Sequence, residues 1–227
     1  MSKASRKHPV FRPFFGFYGG KWRDTPRLYP PPKYDVIVEP FAGSAGYSLR
    51  YYWKTVILCE IDPVIASVWE YLIRAKASEV LKLPDVPPDG TVDDLAVSQE
   101  VKALKGVRPG SFWGERVRQT IARQVDLIRH WKIHSTSYEE CPFTGTATWF
   151  IDPPYEIAGR HYHFGSSQID YAHLGRWCQS RKGDVFVCEH LGAQWLPFKA
   201  LHDAKTTRAG KLSPEAIWKR NGSGPTS

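Results

Sequence analysis

The stretch from Thr146 to Tyr155 constrains this chain most. Residues 146–151 run Thr-Ala-Thr-Trp-Phe-Ile. They are β-branched, aromatic or small, and read as a buried strand. Asp152-Pro153-Pro154-Tyr155 cannot continue it, because both prolines lack an N–H donor and have a fixed φ. The strand therefore ends at Asp152, held extended by the proline after it. A carboxylate, a rigid corner and an aromatic ring then share the carboxyl end of a strand. In open α/β sheets that edge binds ligands. The prolines also leave the Asp152 and Pro153 carbonyls without crowding N–H groups. Such a corner can accept two hydrogen bonds from one amino group while Tyr155 stacks on the plane that carries it. An ordinary strand closed by a Pro-Pro turn has the same four residues, so the rest of the chain must decide.

Upstream, Phe14-Phe15-Gly16-Phe17-Tyr18-Gly19-Gly20-Lys21 crowds aromatic rings against a glycine pair and a lysine. The pair allows a tight turn with close backbone approach. An NTPase phosphate loop is excluded, because the upstream Gly and the Ser or Thr after Lys21 are absent. Tyr29 to Pro32 is a proline-rich linker. Asp35 to Glu39 then reads as a short buried strand, followed by Pro40-Phe41-Ala42-Gly43-Ser44-Ala45-Gly46 and a helix over Tyr47 to Trp53. Strand, glycine turn and helix make the nucleotide-binding half of a doubly wound sheet. Gly43 and Gly46 would let a ligand lie against the backbone. Their spacing is not the dinucleotide fingerprint, which disfavours nicotinamide and flavin cofactors. Thr55 to Cys59 is the second strand. Glu60 at its end is placed to accept hydrogen bonds from ribose hydroxyls.

Asp62 and Pro63 open a helix as N-cap and first residue. Val64, Ile65, Val68, Leu72 and Ile73 form its apolar face. Pro84 to Gly90 is a loop and Asp93 to Leu104 a short helix. Glu115 to Trp131 is a longer helix with the stripe Val117, Ile121, Val125, Ile128; Arg116, Arg118, Arg123 and Arg129 lie off that stripe. A solvated helix face would explain these arginines, and so would a surface for phosphates. The formal charge of +8 and pI near 9.3 favour a polyanionic partner. Further strands are expected over Lys132 to Tyr138, Asp184 to Cys188 and Glu215 to Trp218, and a helix over Tyr171 to Gln179. Gly159 to Gly165, with Arg160, His161 and His163, reads as a loop beside the site. No acidic partner accompanies the two histidines, so no metal site is expected. None of Cys59, Cys141, Cys178 and Cys188 forms a Cys-x-x-Cys pair, and Cys59 and Cys188 sit in apolar runs as buried thiols. No apolar run reaches membrane-spanning length, and no signal-peptide core follows Met1. A soluble intracellular protein is the expectation, with reduced thiols.

The motifs occur in order: aromatic-Gly-Gly-Lys, Glu-Pro-Phe-x-Gly-x-x-Gly, strand-end Glu60, Ser137-Tyr138, Asp-Pro-Pro-Tyr, and Glu215-x-x-Trp218. In that order the chain resembles the Dam-like family of DNA adenine N6-methyltransferases, over most of residues 14–60, 132–165 and 213–221. The resemblance implies a doubly wound, mostly parallel, Rossmann-like α/β sheet with a small helical inserted lobe. The catalytic domain would span 14–61 and 132–221, the target-recognition lobe 62–131, and the tails 1–13 and 222–227. It implies S-adenosylmethionine as cofactor, held by Phe17, Lys21, Glu39, Phe41, Gly43, Gly46, Glu60, Tyr138 and Asp152. It implies catalysis at Asp152, Pro153, Pro154 and Tyr155 on an adenine flipped from double-stranded DNA. Arg116, Arg123 and Arg160 are the expected phosphate contacts, and a monomeric orphan enzyme of a phage or prophage the expected setting. Cytosine-N4 methylation, RNA adenine methylation and a silent nucleic-acid-binding protein of the same fold stay open. Methylation at cytosine carbon-5 is disfavoured, since Cys141-Pro142 reverses the Pro-Cys order its thiol nucleophile needs.

Overall fold

The run Thr146–Ile151 is a strand and lies at the centre of a seven-stranded sheet. The computed structural model describes residues 8–86, 90–106, 113–156, 164–205 and 212–222. In chain order these form α1 (Thr25–Leu28), β1 (Val36–Glu39), β2 (Thr55–Cys59), α2 (Pro63–Arg74), α3 (Ala77–Leu81), α4 (Gln99–Gly106) and α5 (Glu115–Val125). There follow β3 (Lys132–His134), β4 (Thr146–Ile151), α6 (Tyr171–Ser180), β5 (Lys182–His190), β6 (Lys199–Lys205) and β7 (Leu212–Arg220). The sheet order is β3-β2-β1-β4-β5-β7-β6. Strands β3, β2, β1, β4 and β5 run parallel, and β7 pairs antiparallel with both β5 and β6. This is the mostly parallel α/β sheet that the sequence predicted.

Alternation along the strands sorts the core into two layers. Ile37, Val56, Leu58, Phe150, Phe186, Cys188 and Ile217 face one side, where Trp69 and Leu72 of α2 and Ile121 and Val125 of α5 cover them. Val38, Ile57, Cys59, Trp149, Ile151, Val185 and Val187 face the other, against Leu174, Trp177 and Cys178 of α6. Helices thus lie on both faces, so the sheet is doubly wound. Within 62–131, Trp69, Leu72, Leu104, Ile121 and Val125 share the first of these cores with the sheet.

The chain steps from β1 outward to β2 and β3, then returns to place β4 on the other side of β1. In open α/β sheets such a reversal is where a ligand crevice forms, at the carboxyl ends of β1 and β4. Continuing the two-residue period past the strand ends puts Glu39, Glu60 and Asp152 on the α2 side of the sheet, around that crevice.

Several boundaries differ from expectation. The helix expected over Tyr47 to Trp53 is a 3-10 turn, Ser48–Tyr51. Gly43 and Ala45 take positive φ of 44° and 48° just before it, and β2 begins four residues after it, which leaves room for one turn. Val64, expected on the buried face of α2, is 49% exposed, because at 3.6 residues per turn it lies outside the arc that Ile65, Val68, Trp69 and Leu72 bury. The helix expected from Asp93 starts at Gln99, after a separate 3-10 turn at Val92–Asp94. α5 ends at Val125, and a 3-10 turn, Asp126–Ile128, carries the chain toward β3. All four cysteines are free and buried. Among the described residues no helix is long and apolar enough to cross a membrane.

Candidate active site at the switch between β1 and β4

The glycine turn after β1 is held from three directions. Gly43 donates its N–H to Glu60 Oε2 at 2.8 Å, and its carbonyl accepts from Trp69 Nε1 at 2.8 Å. Glu39 Oε1 accepts from the Ser48 N–H at 2.7 Å. Glu60 also accepts from the Asp62 N–H, through Oε1 at 3.0 Å. Both acids are buried, at 2% and 8% exposure. Burial pushes the Glu39 carboxyl up to about 8 against the Ser48 hydrogen bond, and lifts Glu60 against its backbone donors.

The close approaches at the two glycines come from the protein itself. A Cβ on Gly43 would lie 2.9 Å from the Phe17 ring. One on Gly46 would lie 2.7 Å from the Trp22 backbone nitrogen and 3.0 Å from that of Lys21. Gly46 therefore seats the Lys21–Arg23 turn against the glycine loop, and Arg50 fixes that turn by donating to the Trp22 carbonyl at 2.8 Å.

That turn buries Lys21 to 5% exposure. Its Nζ donates to Asp152 Oδ2 at 3.0 Å and to the Gly19 carbonyl at 2.9 Å. It lies 2.9 Å from Asp152 Oδ1, 3.9 Å from Glu215 Oε1 and 5.0 Å from the centre of the Tyr155 ring. Burial pulls the Lys21 ammonium down, but Asp152, Tyr155 and Glu215 lift it well above its usual range. Burial pushes the Asp152 carboxyl up, against the opposing pull of Lys21. Among the described residues, Asp152 Oδ1 has the Lys21 ion pair but no further hydrogen bond of good geometry, and the buried Tyr155 hydroxyl lies close enough to pull the Asp152 carboxyl down. Buried polar atoms without a good hydrogen bond are uncommon in native proteins. The Pro-Pro corner itself is braced. Tyr171 of α6 donates to the Pro154 carbonyl at 2.5 Å, and the Glu156 N–H donates to buried Glu189 at 3.2 Å.

The structure thus brings Phe17, Lys21, Glu39, Gly43, Gly46, Glu60, Asp152, Pro153, Pro154 and Tyr155 to one end of the sheet. Phe41 and Tyr138 stack on each other at 5.4 Å in the opposite core layer, and the Tyr138 hydroxyl bonds His173 Nδ1 at 2.9 Å. Arg116 and Arg123 lie apart, on the exposed flank of α5. With Arg12 they line a groove of about 420 Å³ beside the N-terminal segment. Gln124 builds this groove by accepting from the Arg12 N–H at 2.8 Å and donating to its carbonyl at 2.9 Å. Neither Arg116 nor Arg123 has a salt bridge among the described residues, whereas Arg118 pairs with Asp85 and Arg129 with Asp126. Arg160, His161 and His163 lie outside the described residues.

Sequence reasoning assigned no role to Tyr29 and saw Glu215 only as part of a motif. Tyr29 donates to Glu215 Oε2 at 3.1 Å, and both stand behind Lys21. Beyond that motif, the sequence signal for Glu215 is its parity with Ile217, which puts it on the α2 side of the sheet.

No protein-family model matches the chain, and no curated protein does. Solved structures similar to it include a conserved hypothetical protein of Streptococcus pyogenes, with 10% identity and a TM-score of 0.42 over 82% of this chain and 86% of that one. Another is a SAM-dependent methyltransferase from Neisseria gonorrhoeae, with 16% identity and a TM-score of 0.40 over 90% of this chain and 66% of that one. A third is a putative methylase from Haemophilus influenzae, with 13% identity and a TM-score of 0.37 over 87% and 83%. Likeness at this level assigns no activity to this chain.

Proposed function

We propose that this chain is an S-adenosylmethionine-dependent DNA adenine N6-methyltransferase. The observation that carries the reading is the half-buried Asp152 at the β1–β4 switch, paired with the buried Lys21 ammonium and with the Tyr155 ring beside it. An exocyclic adenine amine is a poor nucleophile because its lone pair is delocalised into the ring. A hydrogen bond from its N–H to Asp152 favours the localised lone pair, and fixed geometry supplies much of the remaining acceleration. A base must leave the duplex to reach a pocket of this kind, and an aromatic ring is a suitable platform for it. Transfer of a methyl group to the amine releases one N–H proton. Asp152, already raised by burial, is positioned to take it.

The cofactor would supply an electrophilic sulfonium methyl group. The residues present suit it: Glu60 keeps lone pairs on both oxygens after accepting from Gly43 and Asp62, enough for two ribose hydroxyls. Glu39, Phe17 and the positive-φ loop at Gly43 lie beside it. The charge of +8 and the arginine groove on α5 favour a nucleic acid as the other substrate. A monomeric, cytoplasmic orphan enzyme of phage or prophage origin is the setting proposed for it.

The test is to express the protein in cells lacking adenine methylation and sequence the modified bases of their DNA. N6-methyladenine in a fixed context is expected. N4-methylcytosine would retain the mechanism and change the substrate. Unmodified DNA, together with calorimetry showing no S-adenosylmethionine binding, would defeat the reading.

A further inference from the structure

Lys21 already makes the contacts that an incoming amino group needs. Its ammonium donates to Asp152 and lies over the Tyr155 ring, so the two donors would compete for one carboxylate. A buried ammonium that loses its acid partner is strongly destabilised unless another acceptor receives it. Glu215, on β7, stands ready to do so. Its Oε1 lies 3.9 Å from Lys21 Nζ, about 1 Å beyond hydrogen-bond distance. Its Oε2 is fixed by the Tyr29 hydroxyl at 3.1 Å. The Gly19 carbonyl, 2.9 Å from Nζ, can keep its hydrogen bond throughout so small a shift.

We propose that Glu215, oriented by Tyr29, is the second seat of the Lys21 ammonium, which passes from Asp152 to Glu215 when a target amino group binds. Lys21 then pulls the Asp152 carboxyl down against burial between turnovers without blocking it during one. Glu215 and Tyr29 are positioning residues, acting through Lys21. The inference rests on the reading of Asp152 as acceptor of the target amine. It also explains why two carboxylates from distant parts of the chain converge on a single buried lysine. One acid partner would satisfy the charge, whereas two permit an exchange.

The groups facing this pair are Tyr155 after β4, Tyr29 after α1, Cys188 on β5 and Glu215 on β7, with Glu39 on β1 acting on it at longer range. Among them Glu215 raises the Asp152 carboxyl. Glu215→Gln should therefore move the Asp152 midpoint, followed by carbon-13 carboxyl NMR in the full-length protein, to lower pH. An Asp152 midpoint unchanged in Glu215→Gln overturns the proposal, and this measurement needs no activity. Transfer kinetics supply the second test. Glu215→Gln should lower kcat on the order of tenfold with cofactor KM unchanged, and should cost less than about twofold in a Lys21→Met background. Equal costs in both backgrounds would make Glu215 merely structural and overturn the proposal. A wild type that transfers no methyl group would count against the methyltransferase reading instead, while the titration still decides whether Glu215 is coupled to the pair.

Discussion

Glu60 and Asp152 end neighbouring parts of one sheet edge, and the protein holds them in different ways. Each Glu60 oxygen accepts from a backbone N–H, at Gly43 and Asp62. Asp152 is held by a side chain, the Lys21 ammonium, and one of its oxygens accepts no hydrogen bond of good geometry among the described residues. Backbone donors cannot leave without unfolding the loop, so Glu60 belongs to the scaffold as well as to the site. A side-chain donor can move by an ångström, so Asp152 can change partners. On the proposed function, the difference would separate an acid that holds a ligand from one that exchanges hydrogen bonds during a reaction.

The largest expected effect tests the Asp152 half. Asp152→Asn should lower methyl transfer by roughly a thousandfold or more, because the charge that polarises the amine is lost. Cofactor affinity, measured by calorimetry, should change little. A comparable loss of cofactor affinity would erase the distinction between the two acids. Tyr155→Phe should retain far more activity than Tyr155→Ala, because stacking needs the ring and not the hydroxyl.

Glu60→Ala should do the reverse. Cofactor binding should weaken by about tenfold or more. The protein should also lose roughly 1–3 kcal/mol of stability in thermal melts, since buried backbone N–H groups lose their acceptor. Unchanged stability would mean that Glu60 is not part of the scaffold.

Glu39 sharpens the same comparison through pH. Its folded carboxyl is raised to about 8, so the native state binds this proton more tightly than the unfolded chain does. Its contribution is full below its ordinary range and is lost as pH rises through about 8. Glu39→Gln should flatten the fall in melting temperature between pH 5 and about 8. An equally steep fall in the variant would assign the pH dependence to other groups.

The smallest effect concerns α5. Charge reversal at Arg116 and Arg123 should weaken DNA binding similarly across sequences, and should reduce its salt dependence. Unchanged binding would make that flank a solvated surface.

Much of the sheet was legible because its signals are local. β2 and β4 match their expected bounds, as continuous apolar runs closed by an acid or a Pro-Pro corner. The Asp62 cap with Pro63 located the start of α2. β6 was not legible, since Lys-Ala-Leu-His-Asp-Ala-Lys carries no β-branched residue and no clean alternation. β7 is longer than expected; Pro214 lies within it, opposite Asp203 of β6. Lys21 and Asp152 were singled out separately, but no periodicity links side chains 131 positions apart. The pairing of Glu215 with Tyr29, across 186 positions, was invisible for the same reason. Such pairs follow from strand order, which local patterns do not determine.

The most direct test of the central claim is transfer of tritiated methyl groups from S-adenosylmethionine to unmethylated DNA, followed by nucleoside chromatography. With the wild type, label should elute as N6-methyladenosine of the deoxy series. With Asp152→Ala it should vanish while the variant still binds cofactor. Full activity in Asp152→Ala would reduce Asp-Pro-Pro-Tyr to a turn and contradict the account.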